Sequence, residues 1–166
     1  LIVQTHDWDT SVYAKPHIGQ DEQERIDFGR HNRISGATVE ALLAALAEAL
    51  PALDGLIINQ QLRSGVHSDG LVAKLSALVD QIPEKVVLLD ARDVADRYTG
   101  VIVKANAREA ARLCGAHREV GHAVTEKELR VWARTIYERT RRPVIITRSD
   151  RGILAFDGAD FLSVTG

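Results

Sequence analysis

Residues 85–115, KVVLLDARDVADRYTGVIVKANAREAARLCG, decide the fold of this chain. Two short apolar runs in this stretch, 86–89 and 101–103, each end on polar residues. Such runs are typical of buried strands in a parallel sheet, and the pattern at 106–114 predicts a helix directly after the second run. Because the carboxyl ends of parallel strands meet at one edge of a sheet, we expect the polar residues there to face a ligand.

From residue 35 onward the chain alternates between helical and strand patterns. Apolar residues at helical spacing predict helices that begin at Thr38, at Ser68 or Asp69, and at Thr125. Apolar runs at 55–58 and 144–146 predict strands. This alternation is typical of an α/β fold with a mostly parallel central sheet.

The first 34 residues follow a different pattern. They show little helical periodicity, and the runs at 11–14 and 26–29 are typical of short strands. Near the other end, the run at 153–156 predicts a hairpin partner for the strand at 144–146. We therefore expect a small β-flap with its connecting segment at 1–34 and an α/β core at 35–166.

Composition narrows the classes of function. The 166 residues carry a formal net charge of −2, which does not predict a nucleic-acid or membrane surface. Cys114 is the only cysteine, so no intramolecular disulfide can form, and we expect a cytoplasmic protein. The sequence contains no Walker-type GxxxxGK[ST] motif, no GxGxxG motif and no histidine spacing typical of zinc sites.

Asn106 and Glu109 directly follow a predicted strand and have two interpretations. In the first, they form a helix N-terminal capping box, in which Asn106 accepts a backbone N–H and Glu109 reaches back. In the second, they face the ligand edge and hold a magnesium-bound water or a phosphate oxygen. The two roles are compatible, since a cap can present its outer face to a phosphate.

Thr147 and Arg148 also follow a strand, at the start of the polar stretch 147–152. A turn between hairpin strands explains this composition without a ligand. Alternatively, the Arg148 charge and the Thr147 hydroxyl contact phosphate. Asp90 closes another strand, and we expect it to pair with Arg92 or with Lys104.

Taken in order, three stretches resemble the middle of the ribokinase-like (PfkB) carbohydrate kinase family. They are VVLLDAR at 86–92, VIVKANAREAARLCG at 101–115 and PVIITRSDRGILAF at 143–156. Residues 9–29, DTSVYAKPHIGQDEQERIDFG, resemble the β-lid of that family, and their QERIDF portion is similar to the kinase domains that phosphorylate heptose 7-phosphate in ADP-heptose synthesis. The resemblance spans nearly the whole chain.

The resemblance implies a three-layer α/β sandwich that transfers the γ-phosphoryl group of ATP, with Mg²⁺, to a sugar or sugar-phosphate hydroxyl. It also implies that 1–34 form a β-lid with its connecting segment and that 35–166 form a nucleotide-binding core, which is incomplete here. Asn106 and Glu109 match the family's Asn-x-x-Glu, which organises magnesium and phosphate through water. Lys104 is expected beside that site. The resemblance also implies that Thr147 and Arg148 border the nucleotide phosphates.

Two further expectations concern the lid. The charges of Lys15 and Arg25 suit an anionic sugar phosphate, and we expect them to reach it. The resemblance implies a homodimer that forms through the β-lid.

The chain departs from the family pattern at three places. Ser149 stands where the first glycine of Thr-x-Gly-x-x-Gly is expected, and Asn59-Gln60-Gln61 occupies a position where an aspartate is expected in heptose kinases. The Gly-Ala-Gly-Asp signature, which supplies the catalytic base and an anion hole, and the N-terminal di-glycine segment do not occur. We therefore expect these residues to be part of a longer polypeptide and, as written, not to catalyse.

Two other classes of function remain open. A non-catalytic relative of the kinase fold would act as a binding or interaction module, and the substitutions at Ser149 and at 59–61 favour it slightly. A nucleotidyltransferase or a dehydrogenase would share the α/β fold, but neither leaves its phosphate motif in this sequence.

Overall fold

The computed structural model describes residues 2–3, 6, 8–29, 31–62, 65–116 and 124–166. The chain divides into two compact units. The first contains Leu1–Ala52 and Leu62–Val72, and the second contains Leu53–Gln61 and Ala73–Gly166.

The first unit carries four short strands and a helix. Strands β1 (Val12–Ala14) and β4 (Ile26–Phe28) pair antiparallel, as do β2 (His17–Ile18) and β3 (Asp21–Glu22). The strands predicted at 11–14 and 26–29 are therefore confirmed, and the β2–β3 pair is an addition. Helix α1 (Gly36–Ala49) follows.

Helix α1 begins earlier than its sequence pattern predicts. The Ser35 side chain accepts a hydrogen bond from the Thr38 backbone N–H at 3.1 Å, so Ser35 is the N-cap and the predicted start at Thr38 is wrong. Helix α2 (Asp69–Asp80) contains residues of both units and starts as predicted. The Ser68 hydroxyl accepts from the Leu71 N–H at 3.3 Å, which satisfies one donor of its first turn.

The second unit is built on a six-stranded sheet in the order β10-β9-β8-β7-β6-β5. Neighbouring strands from β5 to β8 are parallel, whereas β9 and β10 are antiparallel, so the mostly parallel α/β sheet and the hairpin after β8 are confirmed. The strands are β5 (Gly55–Gln60), β6 (Val86–Ala91), β7 (Ile102–Asn106), β8 (Val144–Thr147), β9 (Ile153–Phe156) and β10 (Phe161–Val164).

Helices α3 (Ala107–Leu113) and α4 (Glu126–Thr140) pack against this sheet. Alternate residues of the strands are buried; examples are Val103, Val144 and Ile146, each 0% exposed. From α4, Leu129 and Ile136 are also fully or almost fully buried. Each such aliphatic side chain contributes about 1.5–3 kcal/mol through burial, which makes this layer the core of the second unit.

Register brings the polar strand ends together at one edge of the sheet. Asn59 lies opposite Asp90, and Asp90 lies opposite Lys104. One strand further, Asn106 lies opposite Thr147. The polar sheet edge predicted from the sequence therefore exists, and the predicted site residues Lys104, Asn106 and Thr147 lie along it.

Among the described residues, no helix is both long enough and apolar enough to cross a membrane.

Candidate functional site

Asn106 and Glu109 form the predicted capping box at the start of α3. The Asn106 Oδ1 accepts from the Glu109 N–H at 2.9 Å, and the Glu109 Oε2 accepts from the Asn106 N–H at 2.8 Å. Asn106 is extended, with φ −82° and ψ 169°, as an N-cap residue should be. At the other end of the helix, Gly115 has φ 67°, as expected for a glycine that ends a helix.

The stretch that follows β8 is a tight turn held by backbone hydrogen bonds. The Arg148 N–H donates to the Gly152 carbonyl at 2.8 Å, and the Gly152 N–H donates to the Ser149 carbonyl at 3.2 Å. Ser149 has φ 56°, the left-handed conformation that glycine adopts most readily. The serine at the expected glycine position thus keeps a glycine-like backbone.

Gly152 is needed in this turn for space as well as for conformation. Its φ is 79°, and a Cβ added there would clash with the Val164 carbonyl. No other residue fits, because its side chain would separate the turn from β10.

Arg148 is engaged with neighbouring protein groups. Its Nη2 donates to the Ser163 hydroxyl at 2.8 Å and to the Ile153 carbonyl at 3.2 Å. Its Nη1 lies 3.7 Å from the Glu126 Oε2, and its side chain is only 9% exposed. These contacts fasten the turn to the β9–β10 hairpin and to the start of α4.

Glu126 in turn receives two hydrogen bonds from Arg130, one turn further along α4. The hydrogen bonding from Arg130, together with the charges of Arg130 and Arg148, lowers the pKa of the Glu126 carboxyl. Glu126 is therefore a carboxylate at neutral pH that counters the Arg148 charge.

A cavity of about 400 Å³ lies between the start of α3 and the turn after β8. Its volume is within the range of small-molecule sites. The cavity is lined by Asn106, Ala107, Arg108, Val124, Thr147, Arg148, Ser149 and Arg151. The structure thus places Asn106, Thr147 and Arg148 at one cavity, as their strand-end positions predict, and adds Arg108 and Arg151, which the sequence analysis missed.

Lys104 is held by an ion pair. Its Nζ lies 2.9 Å from the Asp90 Oδ2, and both side chains are about one-third exposed or less. Of the two partners expected for Asp90, Arg92 and Lys104, the structure therefore shows Lys104. Lys104 precedes Asn106 by two residues on β7 but does not line the cavity.

At the far end of the same sheet edge, Gln60 is buried and tied to the loop after β6. Its Oε1 accepts from the Asp93 N–H at 2.8 Å, and its Nε2 donates to the Asp93 Oδ2 at 3.2 Å. The stretch 59–61, where the family pattern has an aspartate, therefore contains an amide side chain that connects the end of β5 to the loop after β6.

The predicted lid cations also carry ion pairs. Lys15 Nζ lies 2.8 Å from the Glu22 Oε1. Arg25 binds Asp27 through Nε at 2.6 Å and Nη2 at 3.0 Å, and its guanidinium lies 4.4 Å from the centre of the Tyr13 ring. Both cations remain about half exposed, so each could also meet an anionic group.

Magnesium would have to be held at this site through water. Among the described residues, no three or more histidine, cysteine, aspartate or glutamate side chains are grouped to hold a metal ion. Glu109, which does not line the cavity but follows the lining residue Arg108 on α3, offers one carboxylate, and its Oε1 makes no hydrogen bond with a described residue. Because Mg²⁺ commonly keeps several waters and uses one or two carboxylates, Asn106 and Glu109 fit a water-mediated role.

The chain is similar in fold to solved kinase structures. Phosphofructokinase-2 from Escherichia coli in complex with fructose-6-phosphate has a TM-score of 0.59 at 16% identity, over 86% of this chain and 46% of that one. A Staphylococcus aureus protein whose structure carries the name "putative phosphofructokinase" has a TM-score of 0.63 at 15% identity, over 84% of this chain and 45% of that one. An ADP complex of Bacillus subtilis pyridoxal kinase has a TM-score of 0.60 at 15% identity, over 95% of this chain and 62% of that one.

These similarities confirm the α/β fold expected from the resemblance to ribokinase-like kinases. The chain spans about half the length of the two phosphofructokinases and about three-fifths of the pyridoxal kinase. No protein-family model and no curated protein matches the sequence.

Proposed function

We propose that this protein belongs to the ribokinase-like carbohydrate kinases and transfers the γ-phosphoryl group of ATP to a hydroxyl of a sugar or sugar phosphate, with heptose 7-phosphate as the favoured type of acceptor. The observation that carries the proposal is the arginine-lined cavity at the carboxyl edge of the sheet, in a fold shared with small-molecule kinases. Phosphoryl transfer requires little covalent chemistry from a protein, so positioning and charge neutralisation account for most of the catalysis.

Within this proposal, the cavity holds the phosphates of ATP. The Thr147 hydroxyl donates a hydrogen bond to the phosphates, and the positively charged Arg148 side chain lies beside them. Lys104 adds a second cation at the same sheet edge, beside Asp90. Asn106 and Glu109 would hold Mg²⁺ through water, and the ion would neutralise the charge of the phosphate chain.

The acceptor is assigned to the lid. Lys15 and Arg25 bind the phosphate group of a sugar phosphate, which requires each of them to share or exchange its present carboxylate partner. Arg25 is the better placed of the two for a planar, two-pronged contact with phosphate, since guanidinium groups bind such anions bidentately.

We also infer a homodimer that forms through the lid, in the cytoplasm. The support is that the short lid strands expose large apolar side chains. Val12, Ile18 and Phe28 are 48%, 72% and 54% exposed. An exposed apolar patch of this kind is typical of an association surface.

A second candidate function is a non-catalytic binding module with the kinase fold. The observation that favours it is that the capping box and Arg148 already fill structural roles. Formation of ADP by the intact protein, with Mg²⁺ and a panel of sugars and sugar phosphates, separates the two functions. The kinase proposal predicts ADP formation that depends on an acceptor. ATP binding without ADP formation across the panel would favour the binding module.

A further inference from the structure

The cavity wall carries an excess of positive charge that the proposed site residues do not explain. Of its eight lining residues, three are arginines and none is a carboxylate. Arg148 faces Glu126, at 3.7 Å, but that carboxylate is shared with Arg130. The remaining two arginines, Arg108 and Arg151, are both exposed.

These two arginines differ from Arg148 in their contacts. Arg108 makes no hydrogen bond or ion pair with any described residue. The side chain of Arg151 makes one hydrogen bond to a described residue, from Nη1 to the Val124 carbonyl at 3.3 Å. Neither is bound by a carboxylate among the described residues, so both guanidinium groups have donors available for an anion.

Arg148, by contrast, has limited freedom to follow a ligand. Its Nη2 donates to three acceptors on β9 and β10, the Ile153 and Val164 carbonyls and the Ser163 hydroxyl. Reorienting this group toward a ligand would leave those acceptors without their donor, at a cost in free energy.

We propose that Arg108 and Arg151 bind the phosphate chain of a nucleoside triphosphate directly, while Arg148 holds the turn after β8 against β9 and β10. This inference rests on the proposed function and refines it by naming the phosphate-binding cations. Arg108 belongs to α3 and Arg151 to the turn after β8, so the two arginines line the cavity from separate elements. One guanidinium group can donate two parallel hydrogen bonds to phosphate oxygens, which suits a polyphosphate with several adjacent charges.

The test measures the affinity of the intact protein for three probes, namely inorganic tripolyphosphate, ATP with Mg²⁺, and adenosine. The variants are Arg108→Gln and Arg151→Gln, and Arg151→Lys as a conservative replacement. Lys127→Gln is the matched control, because it removes one exposed cation outside the cavity lining. Thermal unfolding checks that all variants remain folded.

Each glutamine variant should weaken the binding of tripolyphosphate and of ATP by roughly tenfold, the usual effect of losing a charge-assisted hydrogen bond. Adenosine affinity and the Lys127→Gln control should be unchanged, and Arg151→Lys should recover part of the loss. Raising the salt concentration should weaken wild-type binding more than that of the variants.

Unchanged ATP affinity in both glutamine variants, in a protein that binds ATP, would overturn this inference and leave the proposed function standing. Binding of tripolyphosphate without binding of ATP would support the anion site and contradict the kinase proposal. Binding of neither probe by the wild-type protein would overturn both.

Discussion

Replacing Glu109 with glutamine separates the structural role of this residue from its proposed role in phosphoryl transfer. In the structure the Glu109 Oε2 accepts from the Asn106 N–H at 2.8 Å, and the Asn106 Oδ1 accepts from the Glu109 N–H at 2.9 Å. A glutamine keeps a carbonyl oxygen for the first bond and leaves the second unchanged. The substitution therefore removes a charge but leaves the hydrogen bonds of the capping box in place.

The expected loss of stability is small. Losing one negative charge in the first turn of a helix costs about 0.3–1 kcal/mol. Removing the cap itself with Asn106→Ala should cost about 1 kcal/mol, because the Glu109 N–H would lose its acceptor. The turnover number should fall by roughly 10–100-fold, which is the usual effect of removing a group that orients a metal-bound water, whereas the free energy of unfolding should change little.

The chain supplies a matched control in its second capping box. At the start of α4, the Glu128 Oε2 accepts from the Thr125 N–H at 2.8 Å and from the Thr125 hydroxyl at 2.6 Å. Asn106 of the first capping box lines the cavity, whereas neither Thr125 nor Glu128 of the second does. Glu128→Gln should cost a similar amount of stability and leave the kinetics unchanged. The assays are urea unfolding and the dependence of turnover on magnesium concentration, both on the intact protein.

Two results would refute this reasoning. Equal kinetic constants in Glu109→Gln and Glu128→Gln would show that the Glu109 carboxylate has no part in magnesium or phosphate binding. A loss of stability in Glu109→Gln well above about 1 kcal/mol, the upper limit expected for the lost charge, would show that the glutamine does not preserve the cap.

Three further predictions concern the turn, the core and the lid. Gly152→Ala should lower the free energy of unfolding in urea by about 3 kcal/mol, because φ is 79° and the new Cβ would clash with the Val164 carbonyl. The control is Gly70→Ala, at a helical position with open space, which should be neutral or stabilising in the same titration. Tyr98 is 0% exposed, and burial raises its pKa from 10.0 to about 12, so the unfolded chain ionises first and wild-type stability should fall as pH rises from 10 to 12. Tyr98→Phe should remove that loss and raise stability at pH 7 by up to about 1 kcal/mol, since no described residue accepts from the buried hydroxyl; an unaltered alkaline profile would contradict this. Arg25→Ala should raise the KM for a phosphorylated sugar more than the KM for ATP in steady-state kinetics, and an equal effect on both would exclude the lid assignment.

The sequence predicts strands β6 and β7 because apolar runs mark them locally, but the runs end before the strands do. The runs at 86–89 and 101–103 overlap these strands, which continue to Ala91 and Asn106. Both capping boxes are visible as three-residue spacings and both exist. The start of α1 is misplaced because Ser35 and Thr38 both carry hydroxyl groups able to cap, and their spacing alone does not choose between them.

The contacts of the long cations depend on the tertiary arrangement and could not be predicted in the same way. Arg148 reaches β10, fifteen residues away along the chain, and that contact exists only because the β9–β10 hairpin folds back beside the turn. Lys15 meets Glu22 across seven residues in the same manner. The Arg25–Asp27 pair was accessible from the sequence, since residues two apart on a strand share a face.

Arg108 and Arg151 were missed for a related reason. Both lie inside the family motifs, but at unspecified x positions: Arg108 in Asn-x-x-Glu and Arg151 in Thr-x-Gly-x-x-Gly. Their shared cavity becomes visible only when β7 and β8 are paired in register, with Asn106 opposite Thr147.

The measurement that tests the central claim most directly is ³¹P NMR of the intact protein with ATP, Mg²⁺ and a panel of sugars and sugar phosphates that includes heptose 7-phosphate. The account predicts that the γ-phosphoryl resonance of ATP disappears, while a new sugar phosphomonoester resonance and ADP appear in equal amounts. Hydrolysis to inorganic phosphate alone, or no loss of ATP with every acceptor, would contradict phosphoryl transfer to a sugar hydroxyl.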